Sequence, residues 1–425
     1  MSVRKLAYGV LALVVLLLLA SAAVVALNLR DEAPMTGDGA APTAPSAAQL
    51  ERGRYLALAG NCAGCHTARG GPAYAGGRGI DTPFGTVYAG NLTPDDETGI
   101  GRWSAAHFWR ALHNGRSRDG RLLYPAFPYP SFTHVTREDS DAIYGWLRSL
   151  PPVQQANQPN RLRFPYNTQA ALALWRAASF KPATFVPDPA QPAEWNRGAY
   201  LVQGLGHCIA CHGSRNVLGA VEEERGLAGG SIAVDNWVAP SLTSTREAGV
   251  ADWEKQHVVA LLQTGTSPRG SVMGPMADVV YRSTQHLSEG DLGAIAVYLQ
   301  QLPADPAPPV ATGTTRRDAG TMALGAKIYD QRCAYCHGNA GEGAKDAYPP
   351  LAGNRAVNMA TPVNLIEAVR RGGFLPGTAG NPRPYGMPPF NHVLDDHDIA
   401  AVLTYIRGSW GNDAAPVGPR DTMRR

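Results

Sequence analysis

Charge is scarce in this chain. Of its 425 residues only 17% are Asp, Glu, Lys or Arg, and the net charge is +3, whereas an ordinary soluble domain is about 25% charged. With few Lys/Arg runs there is no basic face to neutralise a phosphate backbone, so a nucleic-acid binder is excluded. A Gly-rich nucleotide fingerprint, a nucleophile motif and a second cluster of metal ligands are also missing. No substrate-oxidising site is therefore expected. Cysteine is limited to six residues, and methionine is absent from residues 67–207. Glycine (47) and proline (34) are abundant instead, which suits a loop-rich chain whose length is enough for about two to four domains.

The longest apolar run lies at the start, in MSVRKLAYGVLALVVLLLLASAAVVALNLRDE, where no charge interrupts Ala7 to Leu27. At about 1.5 Å per helical residue this run can cross a hydrocarbon core of roughly 30 Å. Arg4 and Lys5 precede it, which keeps the N-terminus cytoplasmic and sends the rest across the membrane. Residues 1–30 are therefore expected to anchor the chain in a bacterial inner membrane, with everything after them in the periplasm. The small residues Ala20, Ser21 and Ala22 leave a cleaved signal peptide as the alternative, although its apolar region is usually only about 7 to 15 residues.

All six cysteines fall in three identical frames: Cys62-Ala-Gly-Cys65-His66, Cys208-Ile-Ala-Cys211-His212 and Cys333-Ala-Tyr-Cys336-His337. Two thiols one helical turn apart can each form a thioether to a haem vinyl group, and the adjoining histidine can bind the iron as proximal ligand. A redox CxxC has no need of a following histidine three times over, and a zinc site needs paired ligand clusters. Three covalently bound haem c groups are expected.

Each frame sits in a longer repeat. Upstream stand RGRYLALAGNCAGCH, RGAYLVQGLGHCIACH and LGAKIYDQRCAYCH; downstream stand SDAIYGWLRSLPP, LGAIAVYLQQLPA and DIAAVLTYIRGSWG. Capping residues precede all three closing segments, as Thr136 to Asp139, Ser288 to Asp291 and Asp395 to Asp398. The stripes Ile143, Tyr144, Leu147; Ile295, Tyr298, Leu299; and Val402, Tyr405, Ile406 have helical spacing and should face the opening helices. The expected fold is mainly α: three tandem class I cytochrome c domains at 51–152, 193–303 and 320–412 behind an N-terminal transmembrane helix. Residues 31–50 and 304–319 read as Pro-rich linkers and 413–425 as a tail. The connector 153–192 differs, because NTQAALALWRAASF is helical and apolar and should pack on something.

Each iron has a second axial position, usually filled by Met or His in electron-transfer cytochromes. In the second repeat Met276, presented by a Gly-Pro turn, is preferred, with Met273 as competitor; in the third Met387 is the candidate. In the first repeat the same slot reads PAFPYPSFTHV, with Phe127 where the others have methionine. His134 is the leading candidate there. His107 and His113, on what reads as a partly exposed helix face, or an open iron are the alternatives.

With the phrases NLTPDDETGIGRWS, GPMADVVYRSTQHLSEGDL and YGMPPFNHVLDDHDIAAVLTYIRGSWGN in order, the chain resembles the triheme cytochrome c subunits of membrane-bound periplasmic dehydrogenases acting on alcohols, aldehydes, gluconate or sorbitol. The resemblance runs from about Glu51 to Asn412. It carries the family's ligands onto His66, His212, Met276, His337 and Met387, while the first repeat departs from relatives that have a methionine near Phe127 or Val135. It implies a catalytic partner with a flavin, pyrroloquinoline quinone or molybdenum cofactor, and ubiquinone or a terminal oxidase as acceptor. A free-standing membrane-tethered cytochrome or oxidase subunit, and a peroxidase-like enzyme with an open first iron, are the other readings.

Overall fold

The computed structural model describes residues 3–30, 32, 45–232, 236–304, 317–345 and 347–423. The chain is mainly helical and divides into two compact units, Met1–Leu56 with Cys65–Val186, and Ala57–Gly64 with Pro187–Arg425. Most of the two segments read as linkers lies outside the described residues.

The first unit begins with α1 (Val3–Leu29), whose 23-residue stretch Ala7–Leu29 is long and apolar enough to cross a membrane. Then come α2 (Ala47–Ala59) and α3 (Cys62–His66), of which Ala57–Ala59 and Cys62–Gly64 belong to the second unit, followed by α4 (Ala105–Asn114), α5 (Tyr129–Phe132), α6 (Arg137–Arg148) and α7 (Gln169–Ser179). The antiparallel pair β1 (Gly79–Thr82) and β2 (Gly85–Tyr88) has Ile80 opposite Val87, and β3 (Arg161–Leu162) adds to it with Arg161 opposite Thr86. The segment NTQAALALWRAASF forms α7, capped by the Thr168 side chain, and buries Leu172 and Arg176.

The second unit contains α8 (Ala193–Tyr200), a π-helical turn Leu201–Leu205, α9 (Ile209–His212), α10 (Lys255–Thr264), α11 (Pro275–Arg282) and α12 (Glu289–Gln300). It continues with α13 (Ala319–Arg332), α14 (Ala334–His337), α15 (Arg355–Asn358), α16 (Val363–Arg371), α17 (Asp396–Arg407) and α18 (Pro419–Thr422). Short antiparallel pairs join β4 (Gly230–Ile232) to β5 (Trp237–Ala239), β6 (Thr266–Ser267) to β7 (Gly270–Ser271), and β8 (Gly373–Phe374) to β9 (Gly386–Met387). The parts carrying the second and third CxxCH motifs are stitched together inside this unit. Val238 N–H donates to Asn364 Oδ1 (2.8 Å), Asn364 Nδ2 returns a bond to Val238 O (2.8 Å), and Arg355 donates to Gly249 O (2.8 Å).

Three helix crossings repeat one design. Gly53, Gly198 and Gly325 lie so close to the carbonyls of Ala142, Ala294 and Ala401 that an added Cβ would overlap them. The residue four beyond each alanine is aromatic and covers the same glycine: a Cβ there would lie 2.8 Å from Trp146 Cβ, 2.8 Å from Tyr298 Cβ and 2.7 Å from Tyr405 Cβ. In the first repeat the aromatic at the crossing is thus Trp146, not Tyr144, whose hydroxyl instead donates to Trp103 O (2.5 Å). All three expected caps form: Asp139 N–H donates to Thr136 (3.2 Å), Asp291 N–H to Ser288 (3.1 Å) and Asp398 N–H to Asp395 (2.8 Å). The first two crossings add an ion pair, Arg52 with buried Asp139 and Arg197 with Asp291 (2.7 Å); Leu324 takes the arginine's place in the third.

Residues 413–423, read from the sequence as a tail, lie along the third core. Ala414 and Val417 are buried, Thr404 and Val417 exchange hydrogen bonds (3.2 and 3.0 Å), and Arg407 Nε donates to Ala415 O (2.8 Å).

Candidate haem-binding sites

Each CxxCH motif forms a single helical turn, α3, α9 or α14 with its N-cap, which brings its two sulfurs to one side. The spacing from the crossing glycine to the first cysteine differs between repeats, and the backbone absorbs the difference. The third repeat has the fewest intervening residues and α13 runs straight into Cys333 as its C-cap. One more residue in the first is taken up by Asn61 at φ 49°, and two in the second by the π-helical turn and His207 at φ 38°.

The three histidines are held alike. His66 Nδ1 lies 2.7 Å from Gly90 O, His212 Nδ1 2.8 Å from Pro240 O and His337 Nδ1 3.0 Å from Pro349 O. A carbonyl can only accept, so Nδ1 carries the proton and Nε2 keeps its lone pair free for a metal. A carbonyl bonded to the far ring nitrogen in this way fixes the orientation of an imidazole that binds a metal. The backbone carbonyls are gripped alike too: Gly76, Gly229 and Gly343 donate to His66 O, His212 O and His337 O at 2.8 Å. These glycines have φ of 78°, 95° and 69°, a region that side chains disfavour. Burial lowers the pKa of all three rings, partly opposed by the carbonyl bonds, which favours the neutral imidazole that a metal can bind.

Desolvation pushes the Cys208 thiol up to about 12 and the Cys333 thiol to about 11, the neighbouring cysteine adding to both. Sites that resist a thiolate tolerate a neutral thioether well. The donor set therefore fits covalent haem: two thiols one turn apart and an imidazole with Nε2 available, three times over.

The loops that supply the accepting carbonyls were missed in the sequence as a functional repeat. They read GNLTPDDETGIGRW after Ala89 and PSLTSTREAGVADW after Ala239, and the alignment of these two phrases was the available signal. Both are stiffened locally. Thr93 N–H and Oγ1 donate to Asn91 Oδ1 (both 2.8 Å), Val153 N–H bonds Thr93 Oγ1 (3.1 Å), and Ser241 N–H donates to Glu247 Oε2 (2.7 Å).

The candidate axial ligands fall in distinct places. Met387 lies in β9 and packs, together with Cys333, on the cluster that contains Ile328, Tyr329, Ile399 and Leu403. Met276 is half-buried at the second position of α11, after Gly274 at φ 59° and Pro275. Met273 lies against β8, its Cε 3.4 Å from the position of a Cβ on Gly373. His134 is half-buried between α5 and the Thr136 cap, and Phe127 packs its ring on Phe132 (5.4 Å) and Tyr129 (6.4 Å). His107 is engaged at the start of α4, where its Nδ1 accepts from Ser104 N–H (3.2 Å). His113 is not on an exposed face as expected. It is 7% exposed, its Nδ1 lies 2.9 Å from Thr133 O, and its ring stacks on Trp109 at 4.5 Å, because the C-terminal turn of α4 lies under α5.

These features define a c-type cytochrome, and the cytochrome c family profile matches residues 50–151 and 322–410. The chain is 40% identical over 393 residues to the cytochrome c subunit of the quinone alcohol dehydrogenase of Gluconacetobacter polyoxogenes, covering 88% of this chain and 82% of that one. It is 38% identical to the gluconate 2-dehydrogenase cytochrome c subunit of Pantoea cypripedii, over 86% of this chain and 87% of that one. It is also 43% identical to one of the nicotinate dehydrogenase subunits of Pseudomonas putida, over 90% of this chain but only 32% of that longer relative. The chain belongs to the family of cytochrome c subunits of membrane-bound dehydrogenases.

Proposed function

We propose that this chain relays electrons from a dehydrogenase catalytic subunit through three covalently attached haems to ubiquinone or a terminal oxidase. The observation that carries the reading is the threefold histidine geometry: ring Nδ1 on a loop carbonyl, main-chain carbonyl on a positive-φ glycine, Nε2 left for iron. The haem would supply a one-electron iron couple at each site. The protein's part is to hold the proximal imidazole in one tautomer, keep water away and set the second axial ligand.

In this reading the chain forms three tandem class I cytochrome c domains, with Cys62 and Cys65, Cys208 and Cys211, and Cys333 and Cys336 as attachment points. Met276 and Met387 complete the second and third sites. The placement of Met387 on the core that holds Cys333, and of Met273 against Gly373, supports that choice. His134 completes the first, half-buried in the short loop that leads into α6. The N-terminal α1 is a retained anchor in a bacterial inner membrane with the haem domains in the periplasm. The relatives' names favour a catalytic partner that oxidises an alcohol, a sugar acid or nicotinate, carrying a pyrroloquinoline quinone, flavin or molybdenum centre.

The test is purification from membranes by an affinity tag on this chain. A catalytic subunit should co-purify, its substrate should reduce all the haem in the complex, and the intact mass of this chain should carry three haem increments. Two increments would remove one site, and purification of this chain alone with full haem would favour a free-standing cytochrome.

A further inference from the structure

The last turn of α1 is fastened to α7. Asn28 Nδ2 donates to Ala173 O (2.9 Å), Arg176 Nε donates to Asn28 Oδ1 (3.0 Å), and Arg30 donates to Phe180 O at the end of α7. Glu32, just beyond, pairs with Arg116 (2.8 Å) and Arg110 (3.6 Å). Asn28 and α7 therefore share one depth along the axis of α1. If α1 spans, its 23-residue apolar stretch is about 34 Å long, slightly more than the roughly 30 Å hydrocarbon core. Its last turn, and α7 with it, then lies at the boundary between acyl chains and headgroups.

The outward face of α7 matches that boundary. Ala170, Leu174 and Ala178 follow one another at helical spacing and are exposed, Leu174 by 60%. The one charged residue of α7, Arg176, is 2% exposed and turned inward, 5.0 Å from the Tyr129 ring. A helix facing water ordinarily has charged or polar residues on that side; this one has none. In the turn leading into α7, Phe164 (82%) and Tyr166 (43%) are exposed. Arg163 and Lys181 are exposed at the two ends, in position for acidic lipid headgroups.

We infer that α7 and the preceding turn form a membrane-contact surface that lies in the headgroup and acyl boundary and fixes the first unit against the bilayer. The occupant is lipid, because the face is continuous with the end of α1 and carries the apolar, aromatic and flanking basic residues of an interfacial helix. This rests on the reading of α1 as a retained anchor.

The test uses the whole co-purified assembly in vesicles of phosphatidylethanolamine and phosphatidylglycerol doped with a phospholipid bearing a photoactivated diazirine on its acyl chain. Peptides covalently labelled by lipid are then mapped by mass spectrometry. Labelling is expected on α1 and on residues 163–180. In Leu174→Glu the α7 labelling should fall by about tenfold, the partition change for one leucine side chain, while α1 labelling and the haem spectrum stay unchanged. Labelled α1 with unlabelled α7 overturns the inference and leaves the anchor standing. If α7 is unlabelled but protected from hydrogen exchange only while the catalytic subunit is bound, the face belongs to that protein and the inference also fails. Absence of label on α1 sinks the anchor reading, and the inference with it.

Discussion

Gly198→Ala probes the crossing of α8 and α12. The new Cβ would lie 2.6 Å from Ala294 C and 2.8 Å from Tyr298 Cβ, with Ala294 O nearer still, against about 3.5 Å for a relaxed carbon contact. A main-chain carbonyl inside a helix cannot rotate away, so the helices must part by roughly 1 Å or more. Overpacking of this kind costs up to about 3 kcal/mol, and the better helix propensity of alanine returns about 1 kcal/mol. The net loss should be about 2 kcal/mol, or roughly 30-fold in the local opening constant. A single melting curve is a poor readout for a chain of several units. Hydrogen exchange of peptides covering 193–205 and 289–300 measures the crossing directly. Gly290→Ala is the control: it lies in the same pair of helices, and its nearest neighbour would be Ser288 Oγ at 3.9 Å, so it should exchange no faster than the parent. If Gly198→Ala is as protected as Gly290→Ala, close approach does not set this crossing.

Arg52→Leu removes the Arg52 guanidinium from beside Asp139, which is 2% exposed. Because Arg52 itself is half exposed, a loss of only about 1–2 kcal/mol is expected in guanidinium titration, most of it recovered by adding Asp139→Asn. Met276→Ala and Met387→Ala should each remove part of the methionine-to-iron charge-transfer absorption of the oxidised protein and lower one haem potential in redox titration; an unchanged spectrum in either variant would refute that ligand. The Asp318 carboxyl, which caps α13, is held below its usual 3.8 by Thr321 N–H and then its hydroxyl. Its folded pKa is the lower one, so its contribution is full above pH 3.8 and is lost as pH falls through the folded value. Exchange in the first turn of α13 should rise over that acid range, and Asp318→Asn, still a good cap, should flatten the dependence.

Much of the site was legible in the sequence because its chemistry is local. Cysteines three apart with an adjoining histidine can reach one haem from one helical turn, whatever surrounds them. Helix starts at Thr136, Ser288 and Asp395 were equally readable, since a cap is settled between residues three apart. The apolar pattern of NTQAALALWRAASF gave a helix but not its partner. His113 was misjudged because its burial comes from the chain around Thr133, twenty residues on, and helical spacing says nothing about what lies above a face.

The sequence by itself determined the three CxxCH motifs, the helical class and an apolar segment long enough to span a bilayer. Only the tertiary structure decided that Gly90, Pro240 and Pro349 accept from the histidine rings, and that Gly76, Gly229 and Gly343 hold the histidine carbonyls. It also decided that the second and third motifs share one compact unit, while α7 is tied to the end of α1. The physical reason is that these depend on main-chain groups and close approaches between distant segments. A carbonyl oxygen is the same in every residue, so no side-chain pattern records which one accepts.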